Sequence, residues 1–170
     1  MLDIYPVIRA WYFSADRAHF LESHRHRFKP DLVWNIEQGL KLSAAQIIRA
    51  ERARSDLYHR AAAFFERFDL LLCPTVVAPP FDHRERYLKE VDGTAFDTYF
   101  DWLVLTFAVT LTACPSMSVP CGFTADGRPV GMQLVAPIGG ERELLSAAAA
   151  FEALTHLDQS PPIDPRGEDV

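Results

Sequence analysis

Over the first 68 positions apolar residues recur at three- and four-residue steps, the period of helices buried along one face. Between Val7 and Phe28 the residues Ile8, Trp11, Ala15 and Ala18 share such a face. Pro6 suits the first turn, where a missing N–H leaves no intrahelical bond unmade. Lys29-Pro30 predicts the stop, because proline disfavours helical backbone in its predecessor. A second helix is expected from Asp31 to Leu40, with Gly39 near its end. Ser43 and Gln46 have the spacing of a capping box, so a longer helix should start there and run to Arg67. Its stripe is Ile47, Ala50, Leu57, Ala61, Phe64 and Phe68. Arg54 interrupts that stripe; its head either reaches the edge of the face or pairs with an acid elsewhere. Arg52 and Asp56, four apart, are expected to pair on the outer face for roughly a few tenths of a kcal/mol.

The period then changes. Asp69 to Cys73 is a short apolar run closed by Pro74, and it reads as a buried strand of a parallel or mixed sheet. Pro74 to Asp92 is irregular, with Pro79-Pro80 and mixed charge. Connections of that length inside a domain are functional or pack over something. Thr94 is expected to cap a third helix to Val109, with Phe96, Tyr99, Phe100, Leu103 and Phe107 inward. Ser116 to Pro120 and Val130 to Val135 read as strands of a hairpin. Asp126-Gly127 turns between them, since glycine takes a positive φ without steric cost. A last helix is expected from Glu141 to Leu154, acidic at its start. The tail SPPIDPRGEDV, rich in proline and charge, is expected to be loose. The order of elements is α/β, with a helix-rich N-terminal half.

A length of 170 residues fits one domain or a large part of one. Hydrophobic residues at 49% and aromatics at 12% exclude global disorder. A net charge of -6 argues against a nucleic-acid partner, and His24-Arg25-His26-Arg27 reads as a solvated helix end. The three cysteines have no CxxC spacing, and the first residues lack the pattern of a signal peptide. Reduced thiols in the cytoplasm are therefore expected. No apolar run approaches the roughly 18 residues of a membrane span, so no membrane partner is expected.

Candidate chemistry is sparse. Ser116 and Ser118, two apart on a strand, share one face of the sheet. Neither sits on a GxSxG elbow, and both read as small packing residues. Cys73, Cys114 and Cys121 read as small inert hydrophobes. His24 and His26 diverge by about 200° on a helix and cannot hold one metal together. His19, His59, His83 and His156 show no metal spacing. Gly139-Gly140 reads as a helix boundary, since Glu141 and Glu143 oppose an anion there. Gln133 reads as a structural strand residue.

One run carries a resemblance. Leu111 to Thr124 reads LTACPSMSVPCGFT, and Asp126 to Val135 reads DGRPVGMQLV. Together they resemble the C-terminal segment of the amidase signature family, which typically carries LTGxPAxSVPxGF followed by DGLPVGLQLVG. Phe65 to Thr75, FERFDLLLCPT, is similar to that family's YDxLLxPT, and the likeness continues through Arg142 to Leu145 into the last helix. It implies a partial α/β/α sandwich with a mixed sheet, residues 1–157 being the C-terminal part of an amidase domain and 158–170 a loose tail. It implies hydrolysis of a carboxylic amide, or ammonia transfer from one, with no metal or other cofactor. The family uses a serine nucleophile, a second serine joined by a cis peptide bond, and a lysine base, near a run of the type GGSSGG.

None of these matches here. No Gly/Ser-rich run occurs; Lys29 precedes a proline, Lys41 lies between helices and Lys89 sits in a charged loop. No catalytic residue is therefore assigned. Thr75, Val76 and Val77, beyond the end of a strand, are the expected wall of a substrate pocket. Thr110 and Ala113 stand where the family often has asparagine and glycine. The chain is expected to be inactive alone, as a C-terminal fragment with a small amide as substrate in the complete enzyme. Two alternatives remain: a subunit complementing a separate chain, and an independent α/β binding domain. An open sheet edge and an apolar face should favour a complementing chain or self-association.

Overall fold

A computed structural model describes residues 1–157; the tail expected to be loose lies outside them. Pro6 stands in the first turn of α1, Tyr5–Arg17. The helix does not run unbroken to Phe28 as the periodicity predicts. A 3₁₀ turn at Ala18–Phe20, a short α2 at Leu21–His24 and a second 3₁₀ turn at Arg25–Arg27 replace it. His19 packs on Phe20 at 3.9 Å between ring centroids, and histidine and phenylalanine are weak helix formers. α3, Pro30–Leu40, opens on the predicted proline.

Gly39 lets α1 and α3 touch backbone to backbone. A Cβ there would lie 2.0 Å from the Ala10 carbonyl oxygen and 2.6 Å from Ser14 Oγ. The glycine read as a terminator is the crossing point. Ala10 and Ser14 of α1 and Val33, Ile36 and Gly39 of α3 are buried around it. Arg9 then ties α1 to the segment before α5. It donates to Tyr99 Oη at 3.0 Å and lies 4.6 Å over the Phe13 ring.

α4, Ala44–Phe65, begins with the predicted capping box. Gln46 N–H donates to Ser43 Oγ at 3.3 Å, and Ser43 N–H donates to Gln46 Oε1 at 2.9 Å. Arg54 pairs with Glu51 at 3.3 Å. Arg52 and Asp56 form no ion pair among the described residues. A base placed N-terminal to its acid is the weaker order of such pairs on a helix.

The main sheet has the order β1-β5-β4, with β1 at Leu71–Pro74, β4 at Ser116–Phe123 and β5 at Pro129–Val135. Both ladders are antiparallel; Cys73 and Ser118 flank Gln133 on either side. The parallel or mixed pairing expected of β1 is thus not present among the described residues. Nor is β1 buried: its outer edge has no neighbouring strand among them, and Leu72 is 53% exposed. In β4 a bulge at Cys121 separates Pro120 from Gly122, which has φ +135°.

Helices cover both faces of the sheet, an α/β arrangement. α6, Glu141–Thr155, packs Leu144 and Ala148 against Val119, Leu134 and Ala136. On the other face Val135 meets Val109 of α5, Cys114, and the half-buried Ala61 and Phe65 of α4.

The third helix starts later than predicted. Glu90–Val91 (β2) and Thr94–Ala95 (β3) form a hairpin across Asp92-Gly93, whose φ angles are 49° and 75°. Two positive φ values mark the turn favoured by an Asp-Gly pair, and it takes Thr94 into a strand. Asp101 Oδ2 instead accepts the Thr98 N–H at 2.7 Å, followed by a 3₁₀ turn and α5, Val104–Thr110.

Gly39→Ala should cost about 3 kcal/mol in urea unfolding, because backbone stands on both sides of the new methyl. Ala113, held at φ 60° after α5, should gain about 1 kcal/mol on replacement by glycine, read as a higher Tm.

Candidate substrate groove

Beyond β1 the chain leaves the sheet through Pro74 and Thr75. Thr75 N–H donates to the Gly131 carbonyl at 3.1 Å, adding one rung to the ladder. Thr75 Oγ1 and Ser118 Oγ lie 2.7 Å apart across β5. They can meet because Gly131, between them, has no side chain. A Cβ there would sit 2.8 Å from Ser118 Oγ and 3.0 Å from Thr75 Oγ1. A tight turn is not what this glycine serves; it leaves a notch in the sheet.

An open groove of about 1070 Å³ lies over the notch. Thr75, Ser118 and Gly131 line its floor, and Val76, Val77 and Pro79 one wall. Phe81 and Trp102 form an aromatic wall, edge to face with 5.6 Å between centroids. His83 and Glu85 also line it, at exposed positions. The irregular connection therefore does pack over something. Arg128 of the hairpin turn donates to the Pro80 carbonyl at 2.8 Å, and Arg86 pairs with Asp31 of α3. Arg84 grips both oxygens of Asp82, at 3.0 and 3.1 Å from Nε, and holds that carboxyl below its ordinary range. The Thr124 hydroxyl, and after it Arg128, do the same for Asp126.

The three residues expected as a pocket wall, Thr75, Val76 and Val77, all line the groove. Ser118 lines it too, so its reading as mere packing is incomplete. Its side-chain partner among the described residues is Thr75, and no histidine or lysine stands beside it to take its proton. Ser116 is exposed on the same strand face, beside Val135. Burial raises the pKa of the Cys73 thiol and so disfavours its reactive thiolate. Cys114 is buried as expected of a small hydrophobe, whereas Cys121 is exposed at the bulge. Among the described residues no three His, Cys, Asp or Glu side chains converge, and no helix is long and apolar enough to cross a membrane.

Sequence reasoning missed Gln133. It is 3% exposed, and its Oε1 has no hydrogen-bond partner among the described residues. The available signal was a polar residue within the apolar run GMQLV, on the face of Gly131.

The family model described as Amidase matches residues 7–145, which takes in the hairpin, β1 and the groove. The chain belongs to the amidase family. Among its relatives, an acylamidase of Rhodococcus erythropolis is 30% identical over 144 residues, covering 84% of this chain and 30% of the relative. A glutamyl-tRNA(Gln) amidotransferase subunit of Lactococcus lactis subsp. lactis is 35% identical over 149 residues, covering 85% and 29%. The chain thus spans under a third of the length of these relatives. Among solved structures, a bacterial aryl acylamidase of the amidase signature family superposes with a TM-score of 0.72 at 26% identity, over 92% of this chain and 33% of that one. A protein complex tied to the origins of an s-triazine catabolic enzyme gives 0.79 at 25%, over 88% and 33%.

Within this amidase fold the segment CPT of β1 and the strand SVP of β4 meet at Gly131. Gly131→Ala should separate the hydroxyls and cost about 2 kcal/mol on chemical unfolding. Thr75→Val and Ser118→Ala should show a coupling of about 1 kcal/mol in a double-mutant cycle.

Proposed function

We propose that these residues act as the C-terminal part of an amide-hydrolysing enzyme and supply one side of its substrate groove. In the complete enzyme a carboxylic amide is cleaved to acid and ammonia. The observation that carries this reading is the groove itself. In a chain of the amidase family, the two family-like segments, CPT and the β4–β5 hairpin, form its floor. Thr75, Val76 and Val77 are proposed as substrate contacts. The nucleophilic serine, its partner serine and the lysine base come from polypeptide outside these 170 residues. Without a base tuned near neutral pH and oriented oxyanion donors, the groove can bind an amide but not activate a nucleophile.

A second reading is that the chain complements a separate polypeptide. The bare outer edge of β1, with Leu71 and Leu72 exposed, supports it. So do two of the similar proteins, one belonging to an amidotransferase of several chains and the other to a protein complex. A cytoplasmic location is proposed with it; none of the three cysteines is in a disulfide, as in a reducing compartment.

The purified chain should release no ammonia from simple amides. It should do so on mixing with a chain carrying the family's serines and lysine. Turnover by the chain alone that vanishes on one Ser→Ala change would reveal a nucleophile among these residues. A monodisperse monomer that never engages such a partner would count against complementation.

A further inference from the structure

The groove holds a polar group that neither the fold nor the hydroxyl pair uses. Gln133 sits in the middle strand, between Cys73 of β1 and Ser118 of β4. Side chains alternate along a strand, so Gln133 points to the same face as Gly131. That face is fixed independently. The position of a Cβ on Gly131 falls between Thr75 Oγ1 and Ser118 Oγ, both on the groove floor.

Gln133 is almost wholly buried, yet its Oε1 accepts nothing among the described residues. A buried acceptor without a donor costs stability, and an apolar residue of similar shape would avoid that cost. The neighbouring position in space is a glycine, which leaves room where a side chain would otherwise cover the amide. The terminal torsion of glutamine is broad, so a small rotation presents Oε1 to the notch. The hydroxyl pair is complementary. Once one hydroxyl donates to the other, a single O–H remains free to donate outward. Above this polar patch the groove is apolar, and Phe81 and Trp102 offer ring surfaces.

We propose that Gln133, with the Thr75–Ser118 hydroxyl pair at the Gly131 notch, is a specificity subsite for an aryl-bearing carboxamide. Oε1 of Gln133 accepts the ligand N–H, the free hydroxyl donates to the ligand carbonyl, and the ring lies against Phe81 and Trp102. This rests on the amide reading above and adds what the groove selects: an N–H-bearing amide over the matching ester.

Titration of the ¹⁵N-labelled 170-residue chain with benzamide tests it. The side-chain amide of Gln133 and the backbone amides of Thr75 and Gly131 should shift. Methyl benzoate has the same ring and carbonyl but no N–H, and should bind about tenfold more weakly. That comparison needs no variant. Gln133→Met, checked for retained spectral dispersion, should erase the difference. Absence of shifts at these residues, equal binding of the two probes, or a difference that survives Gln133→Met overturns the subsite. The readout is binding, so it separates the two proposals. Selective benzamide binding without ammonia release in the presence of the complementing chain sinks the hydrolysis reading alone. Ammonia release combined with equal binding of the two probes sinks the subsite alone.

Discussion

Everything in the C-terminal half of this chain depends on β5 being the one strand in the main sheet with a partner on both sides. Its two ladders fix which face each residue serves, because a one-residue slip would exchange the faces. Leu134 then points to α6 and Val135 to α4 and α5. Gly131 and Gln133 take the same side as Val135, further along, where helices no longer cover the sheet. The groove begins where that helical cover ends. Its floor is therefore set by the register that builds the core, and a site on strands is held more firmly than one on loops.

The two edges of the sheet differ in kind. β4 carries Pro120 and a bulge, both of which discourage a further strand. β1 carries leucines at consecutive positions and no charge. In a strand, consecutive residues face opposite sides, so two exposed leucines mean that both faces of β1 lack cover. An isolated antiparallel sheet alternates apolar and polar residues, whereas a strand buried on both faces reads as a continuous apolar run. The run LLLC was correctly legible as the sequence of an interior strand. Its exposure comes from the neighbours it has here, and this is the physical ground for a partner at that edge.

Much of the fold was legible because local chemistry decided it. The capping box of Ser43 and Gln46, the Pro30 start and the Asp126-Gly127 turn each satisfy backbone groups within a few residues. The failures lie where two local signals competed or where the contact was distant. Thr94 looked like a helix cap, but Asp92-Gly93 was the stronger signal and made a hairpin. Gly39 looked like a helix end, yet its role depends on Ala10, which is far away in sequence. The pocket wall at Thr75, Val76 and Val77 could be placed because strand ends are general sites for ligands. The Thr75–Ser118 contact could not, since it requires knowing that β1 and β4 lie on opposite sides of the same glycine.

The same geometry explains why a pair of hydroxyls in a groove is not a catalytic pair. A hydroxyl becomes a nucleophile when a base accepts its proton and donors receive the charge that develops on the substrate. Between Thr75 and Ser118 each hydroxyl has only another hydroxyl, of the same ordinary acidity, so neither gains a proton acceptor. What the pair does gain is order: the bond fixes both rotors and aims the remaining O–H. Ordered donors and acceptors that bind substrate and transition state alike give affinity and selection without raising the chemical rate. Recognition can therefore reside in these residues while the proton transfers are performed elsewhere, and the division follows from which side chains Gly131 allows to meet.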